Sequence, residues 1–140
     1  QHLKEMILPA LEKGNLVLCD RFHDSTLAYQ GFGRGLDLKL IRSIEEKAIT
    51  PHAPFLTFLL DIEPKLALKR TEEKYAQRNQ QDRLEQESID FFERIKRGYQ
   101  QLAEASPDRF VCLDGSKSKE HIHQQIIETL ETRLSERKSF

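Results

Sequence analysis

The sequence lacks a surplus of charge of either sign. Its 140 residues carry 22 Lys and Arg against 23 Asp and Glu, a formal net charge of −1. That balance excludes a general nucleic-acid binder, whose phosphate contacts need a basic excess. Also missing is any apolar run near the roughly 18–20 residues that span a bilayer. The longest, Pro54-Phe55-Leu56-Thr57-Phe58-Leu59-Leu60, has the length of a strand. Cysteine is scarce: Cys19 and Cys112 each sit in a short apolar run, a pattern read as buried, reduced thiols in a cytoplasmic protein. The five histidines show no metal-ligand spacing; His121 and His123, two apart on a helical pattern, face different sides, which argues against a zinc site. Internal repeats, low-complexity segments and hairpin signals are absent. Gln1-His2-Leu3-Lys4 carries neither an initiator Met nor a basic-then-apolar leader. A helical pattern is already under way there, so the chain is expected to begin partway through a larger unit.

What is present reads as one globular domain. Hydrophobic residues make up 38% and charged residues 32%, too apolar for a disordered chain. Leu3, Ile7 and Leu11 repeat at helical spacing, with Pro9 set to bend that helix and Gly14 to stop it. Leu16-Val17-Leu18-Cys19, Phe55 to Leu60, and Phe110-Val111-Cys112-Leu113 are short continuous apolar runs, expected of strands buried on both faces. Between them lie helical patterns: a segment capped by Asp24 or Ser25 and broken by Gly31, Gly33 and Gly35; Leu36 to Ala48; and a helix opened by Pro64. A long amphipathic helix follows through Ile89, Phe92, Ile95, Tyr99 and Leu102, and a closing one from Ile122 to Leu134. Strands separated by helices predict α/β crossovers and a parallel sheet. Residues 71–86 hold little aliphatic character and predict a charged, mobile excursion or an exposed helical hairpin.

In open parallel sheets, ligands bind beyond the carboxyl ends of the strands, where Asp20, Asp61 and Asp114 stand. Arg21 follows Asp20 directly and a helix start comes next. An Arg fork with helix N-terminal amides suits a phosphate dianion, and Asp20 beside it can hold Mg²⁺ through water or orient a phosphate oxygen. The same pair can instead satisfy a buried strand end by local pairing. A tyrosine such as Tyr29 on an amphipathic helix reads, by itself, as core.

Longer motifs separate these readings. Asp20-Arg21-Phe22-His23-Asp24-Ser25-Thr26-Leu27-Ala28-Tyr29-Gln30-Gly31-Phe32-Gly33-Arg34-Gly35 closely resembles bacterial thymidylate kinases, which carry Asp-Arg, Ser-Thr, Ala-Tyr-Gln-Gly and Arg-Gly in this order and spacing. Asp82-Arg83-Leu84-Glu85-Gln86-Glu87, followed by Asp90-Phe91-Phe92, looks like the end of the family's LID and the helix after it. The resemblance implies a three-layer P-loop NTPase fold of the nucleoside monophosphate kinase type, with a parallel sheet and a LID over about residues 70–86. It implies phosphorylation of dTMP to dTDP with ATP and Mg²⁺, in a cytoplasmic homodimer. By resemblance Arg21 holds the dTMP phosphate and Asp20 sits near Mg²⁺ and the reacting phosphates. Ser25 and Thr26 face the nucleotide, Tyr29 lies under the deoxyribose and Gln30 near the base. Phe22 stands where many relatives carry tyrosine and is given no chemical role. A polar flap with arginines excludes water and neutralises developing charge. Arg78 is the favoured catalytic LID arginine, then Arg70, with Arg83 available or tied to Glu85 at the hinge. Asp114, Gly115 and Ser116 resemble the loop on the ATP adenine side, where backbone contacts matter more than side chains, and Gly115 is expected to be there for its backbone freedom.

The family also uses Gly-x-x-x-x-Gly-Lys-Ser/Thr to wrap the ATP phosphates, and these 140 residues contain none. The chain is therefore expected to be the C-terminal portion of a single thymidylate kinase-like domain over residues 1–140. On this reading it lacks its N-terminal P-loop portion, is incomplete in fold at that end, and is inactive alone. The alternatives are another nucleotide or deoxynucleoside kinase, or a non-catalytic nucleotide-binding domain.

Overall fold

A computed structural model of the chain describes residues 1–49, 52–76 and 88–138. The opening helix, α1, is of the wide π type over Leu3–Ile7 and regular over Leu8–Glu12. Pro9 has no N–H to donate to the carbonyl one turn earlier, so the turn before it widens rather than breaks.

The run from Leu16 to Cys19, expected as a strand buried on both faces, is corrected by the structure. It forms no strand, Leu16 and Leu18 are 70% and 82% exposed, and Cys19 is exposed. No described strand lies beside it, and an apolar run without a paired neighbour has nothing to bury it. Among the described residues the sheet has two strands, not three: β1 (Thr57–Asp61) and β2 (Phe110–Asp114). They pair in parallel, with Thr57 opposite Phe110 and Asp61 opposite Asp114. The connection carries α4 (Pro64–Ala76) and α5 (Ile89–Ala105). β1 is not buried on both faces either, since Leu60 is half exposed. Cys112 faces out of β2, and neither cysteine is disulfide-bonded.

The helix after the Asp-Arg turn, α2, is regular over His23–Thr26 and π-type over Leu27–Gly33. Neither Asp24 nor Ser25 caps it: the N-cap is Phe22, without a side-chain bond, and Asp24 lies inside the helix, buried. The expectation that Gly31 and Gly33 break this helix is also corrected. Both lie within it, and they allow close packing: an added Cβ would meet Leu38 at 2.3 Å from Gly31 and Phe91 at 2.8 Å from Gly33. The chain turns only at Gly35, where φ is +73°.

Helix α3 (Leu38–Ala48) starts under a side-chain cap, the Asp37 carboxylate accepting from the backbone N–H of Lys39 at 2.8 Å. Ser88 caps α5 in the same way through Phe91 N–H. Helix α6 (Lys119–Lys138) closes the chain. The core lies between α2 and α5. One cluster joins Leu27, Leu102, Ala103 and Phe110; the other joins Ala28, Phe91 and Ile95; Tyr99 packs against both. The consequence is positional: the segment that follows Asp20-Arg21 is held against the apolar stripe of α5. Among the described residues no helix is long and apolar enough to cross a membrane.

Candidate active site

Arg21 has a φ of +68°, in the left-handed region that costs an ordinary residue about 1 kcal/mol or more. Only a surrounding structure that over-determines the turn keeps it there. The result is directional: the guanidinium lies over the Tyr29 ring, 5.0 Å from its centroid, a cation–π contact. Tyr29 is in turn held edge-on by Phe91, with ring centroids 6.3 Å apart.

Arg21 and Tyr29 line a cavity of about 440 Å³, whose wall continues through Asp61, Phe92, Lys96 and Tyr99. That volume suits a small organic ligand such as a nucleotide. Of the predicted substrate residues, these two reach the cavity wall together. Ser25 is half-buried one turn from each, its hydroxyl 2.7 Å from that of Tyr99. Thr26 is exposed on the same helix and Gln30 is half-buried one turn beyond it.

Of the three acids, Asp61 and Asp114 end strands and Asp20 does not, and their surroundings differ. The Asp61 carboxylate takes an ion pair from Lys96 at 3.4 Å and a bond from the Gln100 amide; Lys96 also pairs with Glu63. Asp114 turns back on its own loop, accepting from the Ser116 N–H at 2.9 Å and the Ser116 hydroxyl at 2.5 Å. Those bonds hold its carboxyl below the usual range. Asp20 is exposed next to Arg21 in the chain.

Arg70, read from the sequence as a LID arginine, stands on α4 and donates to two carbonyls of the loop after β2: Gly115 at 2.8 Å and Ser116 at 2.9 Å. Gly115 does not have a positive φ. Glycine is required there for a different reason: an added Cβ would approach the Asp61 carbonyl oxygen at 3.1 Å and the Ile62 side chain at 3.1 Å, while Gly115 N–H donates to Asp61 O at 2.8 Å. Arg78 and Arg83 lie outside the described residues.

Sequence reasoning missed the buried charge cluster under α2. Arg109, just ahead of β2, donates both guanidinium nitrogens to Asp24, at 2.7 and 2.8 Å, and a further bond to Thr57 Oγ1 at 3.0 Å. His23 lies 3.8 Å from Asp24 and 3.7 Å from Glu45. Burial, and less so the Asp24 carboxylate, pushes the Glu45 carboxyl up to about 7, against the pull of Arg42. Burial also lowers the His23 imidazole, opposed by Asp24 and helped by Arg109. A carboxyl raised from 4.5 to about 7 stabilises the fold in its protonated form; that stability is full below the unfolded value and is lost as pH rises through about 7. Glu45→Gln should therefore melt higher than the wild type at pH 8 and close to it at pH 4.5. A variant no more stable at pH 8 would contradict this environment for Glu45.

Comparison with known proteins follows the same residues. The family model described as thymidylate kinase matches residues 1–126. A thymidylate kinase of Desulfovibrio desulfuricans is 45% identical over 140 residues, covering 98% of this chain and 64% of that protein. One of Halothermothrix orenii is 47% identical over 126 residues, covering 90% of this chain and 59% of that protein. The crystal structure of thymidylate kinase from Ehrlichia chaffeensis superposes with a TM-score of 0.67 at 27% identity, covering 92% of this chain and 56% of that one. The chain thus spans somewhat under two thirds of the length of these relatives. The family match corrects the expectation of a member lacking its N-terminal P-loop portion, with a fold incomplete at that end. The match runs from residue 1, so α1 lies within the matched domain.

Proposed function

Since the chain belongs to the thymidylate kinase family, we propose that the protein phosphorylates dTMP to dTDP at the expense of ATP. One observation carries the reading: Arg21, held in a left-handed turn, stacks over Tyr29 at the wall of a nucleotide-sized cavity. Guanidinium and ring together match the two halves of a nucleoside monophosphate. The fork offers paired N–H donors to the phosphate, and the ring offers a flat apolar surface to the sugar. In the reaction an oxygen of the dTMP phosphate attacks the terminal phosphorus of ATP, and the bond from that phosphorus to the bridging oxygen of ADP breaks. No strong base is needed when the nucleophile is already an anion; positioning and neutralisation of charge supply most of the acceleration.

Mg²⁺ fits this site through Asp20, whose exposed carboxylate adjoins Arg21 while Asp61 and Asp114 are engaged elsewhere. When bound, the ion neutralises phosphoryl charge. In this reading Ser25, Thr26 and Gln30 complete the acceptor side along α2, and the loop at Asp114, Gly115 and Ser116 receives the adenine. Arg70 holds that loop in place rather than the phosphates, which leaves Arg78, with Arg83, as the LID arginines that meet the transferring group. A homodimer is supported by Leu40 and Ile44, one turn apart on α3 and 59% and 61% exposed. The two unpaired thiols suit the reducing cytoplasm.

The test is turnover by the intact protein with ATP and Mg²⁺ on dTMP, dUMP, dCMP and thymidine. The proposal expects kcat/KM for dTMP to exceed each of the others by at least about tenfold, the scale of one missing methyl group or polar contact. Preference for another acceptor would move the protein to a different nucleotide kinase activity.

A further inference from the structure

The hydroxyl of Tyr99 is the feature of the cavity wall that the reaction above leaves unused. It lies 2.7 Å from the hydroxyl of Ser25, across 74 residues of sequence. Its ring is wedged between both halves of the core, against the clusters of Leu27 and Phe110 on one side and Ala28 and Phe91 on the other. The approach of α5 to α2 beside it is fixed by contact. At Gly98 an added Cβ would fall 2.6 Å from the Phe32 ring, so the two helices already touch. One turn earlier Arg94 donates to the Gly33 carbonyl at 2.9 Å. Three successive ties therefore join α5 to the segment that carries the acceptor residues, and the Tyr99 tie ends on one of those residues.

Ser25 stands one turn before Tyr29 on α2 and four residues after Arg21, which lies in the turn ahead of the helix. A serine hydroxyl has one proton and two lone pairs and rotates to suit its surroundings. Bonded to a fixed phenol, it has one direction settled and the rest of its capacity aimed. Burial raises the Tyr99 phenol above its ordinary range, with the Ser25 bond opposing, so the phenol stays neutral at neutral pH and either hydroxyl can donate to the other.

We infer that Tyr99 is a positioning residue for the acceptor site, fixing the Ser25 hydroxyl and the turn of α2 between Arg21 and Tyr29 so that they meet a nucleoside monophosphate as one surface. The inference rests on the dTMP kinase reading. It is tested in the intact protein by steady-state kinetics of Tyr99→Phe, Ser25→Ala and the double variant. Tyr99→Phe keeps the ring and its packing and removes the hydroxyl. The expected result is a rise of about fivefold in KM for dTMP, the scale of one neutral hydrogen bond. KM for ATP should stay within twofold and the change in kcat should be smaller than that in KM for dTMP. The double variant should be no worse than Ser25→Ala alone, because both changes remove the same contact.

An unchanged KM for dTMP in Tyr99→Phe, additive effects in the double variant, or equal changes in KM for both nucleotides would each overturn the inference while leaving wild-type dTMP turnover intact. Loss of folding in Tyr99→Phe, seen as a melting temperature well below the wild type, would also overturn it, since the hydroxyl would then be a structural group. A wild type that does not turn over dTMP overturns the underlying reading and the inference with it.

Discussion

Arg21→Ala should weaken dTMP binding about a hundredfold and leave ATP binding nearly unchanged. The guanidinium lies over Tyr29 at the cavity wall. Its loss removes a bidentate grip on the phosphate, in which each charge-assisted bond contributes roughly 1.5–3 kcal/mol. One such bond gives about tenfold and two give about a hundredfold or more. Alanine retains a Cβ at φ +68°, so the turn stays strained and the comparison isolates the side chain. Arg21→Lys should recover little, because an ammonium cannot form the fork or stack on the ring in the same way. Arg21→Gly would relieve the left-handed strain and raise the melting temperature while binding falls as in the alanine variant. Equilibrium titrations with dTMP and with ATP check the pair of values; equal loss of both would assign Arg21 to folding.

The second large effect concerns stability. Arg109→Met should destabilise the fold by about 3 kcal/mol, because it leaves the Asp24 carboxylate buried without its counter-ion. For a chain of this size that is a fall of roughly 10 °C in melting temperature. Asp24 is 5% exposed and receives both guanidinium nitrogens of Arg109. Thr57 at the start of β1 shares that guanidinium, so one residue ties α2 to the beginning of both strands. Replacing both partners with apolar residues, as in Asp24→Leu with Arg109→Met, should recover much of the loss, since the pair's own desolvation cost disappears with it. Denaturant titrations of the single and the double variant beside the wild type measure this directly. A single variant within 1 kcal/mol of the wild type would show that the pair contributes little beyond its geometry. Asp24 sits between Arg21 and Ser25 on the chain, so the same substitution should also blunt dTMP binding.

These two predictions differ in how legible their residues were. Arg21, Ser25, Thr26, Tyr29 and Gln30 were singled out through a resemblance carried by one contiguous stretch; spacing alone read Tyr29 as core, and the structure brings Arg21 and Tyr29 together at the cavity wall. The helices α5 and α6 could be read for another reason: apolar residues at helical intervals announce a buried stripe whatever it packs against. Arg109 and Tyr99 were illegible as site residues. Their partners lie 85 and 74 residues away, and nothing local marks an arginine before a strand or a tyrosine on a helix as half of a pair. Arg70 shows the limit from another side. Read as a LID arginine, it stands instead on α4, and its partners are backbone carbonyls of Gly115 and Ser116, which any sequence would offer. The run Leu16 to Cys19 failed as a strand because apolar content signals a wish for burial and does not supply the neighbour. Gly31 and Gly33 failed as breakers because a glycine inside a helix marks close approach as readily as a turn, here against Leu38 and Phe91.

On the proposed function, Arg21 and Tyr29 form the acceptor half of a dTMP kinase. Turnover of dTMP, dUMP, dCMP and thymidine by the intact protein, with ATP and Mg²⁺ in excess, tests it most directly. The account predicts that kcat/KM is highest for dTMP by at least about tenfold, and that thymidine, which offers no phosphate to Arg21, is the poorest acceptor. Turnover of thymidine equal to that of dTMP would contradict it.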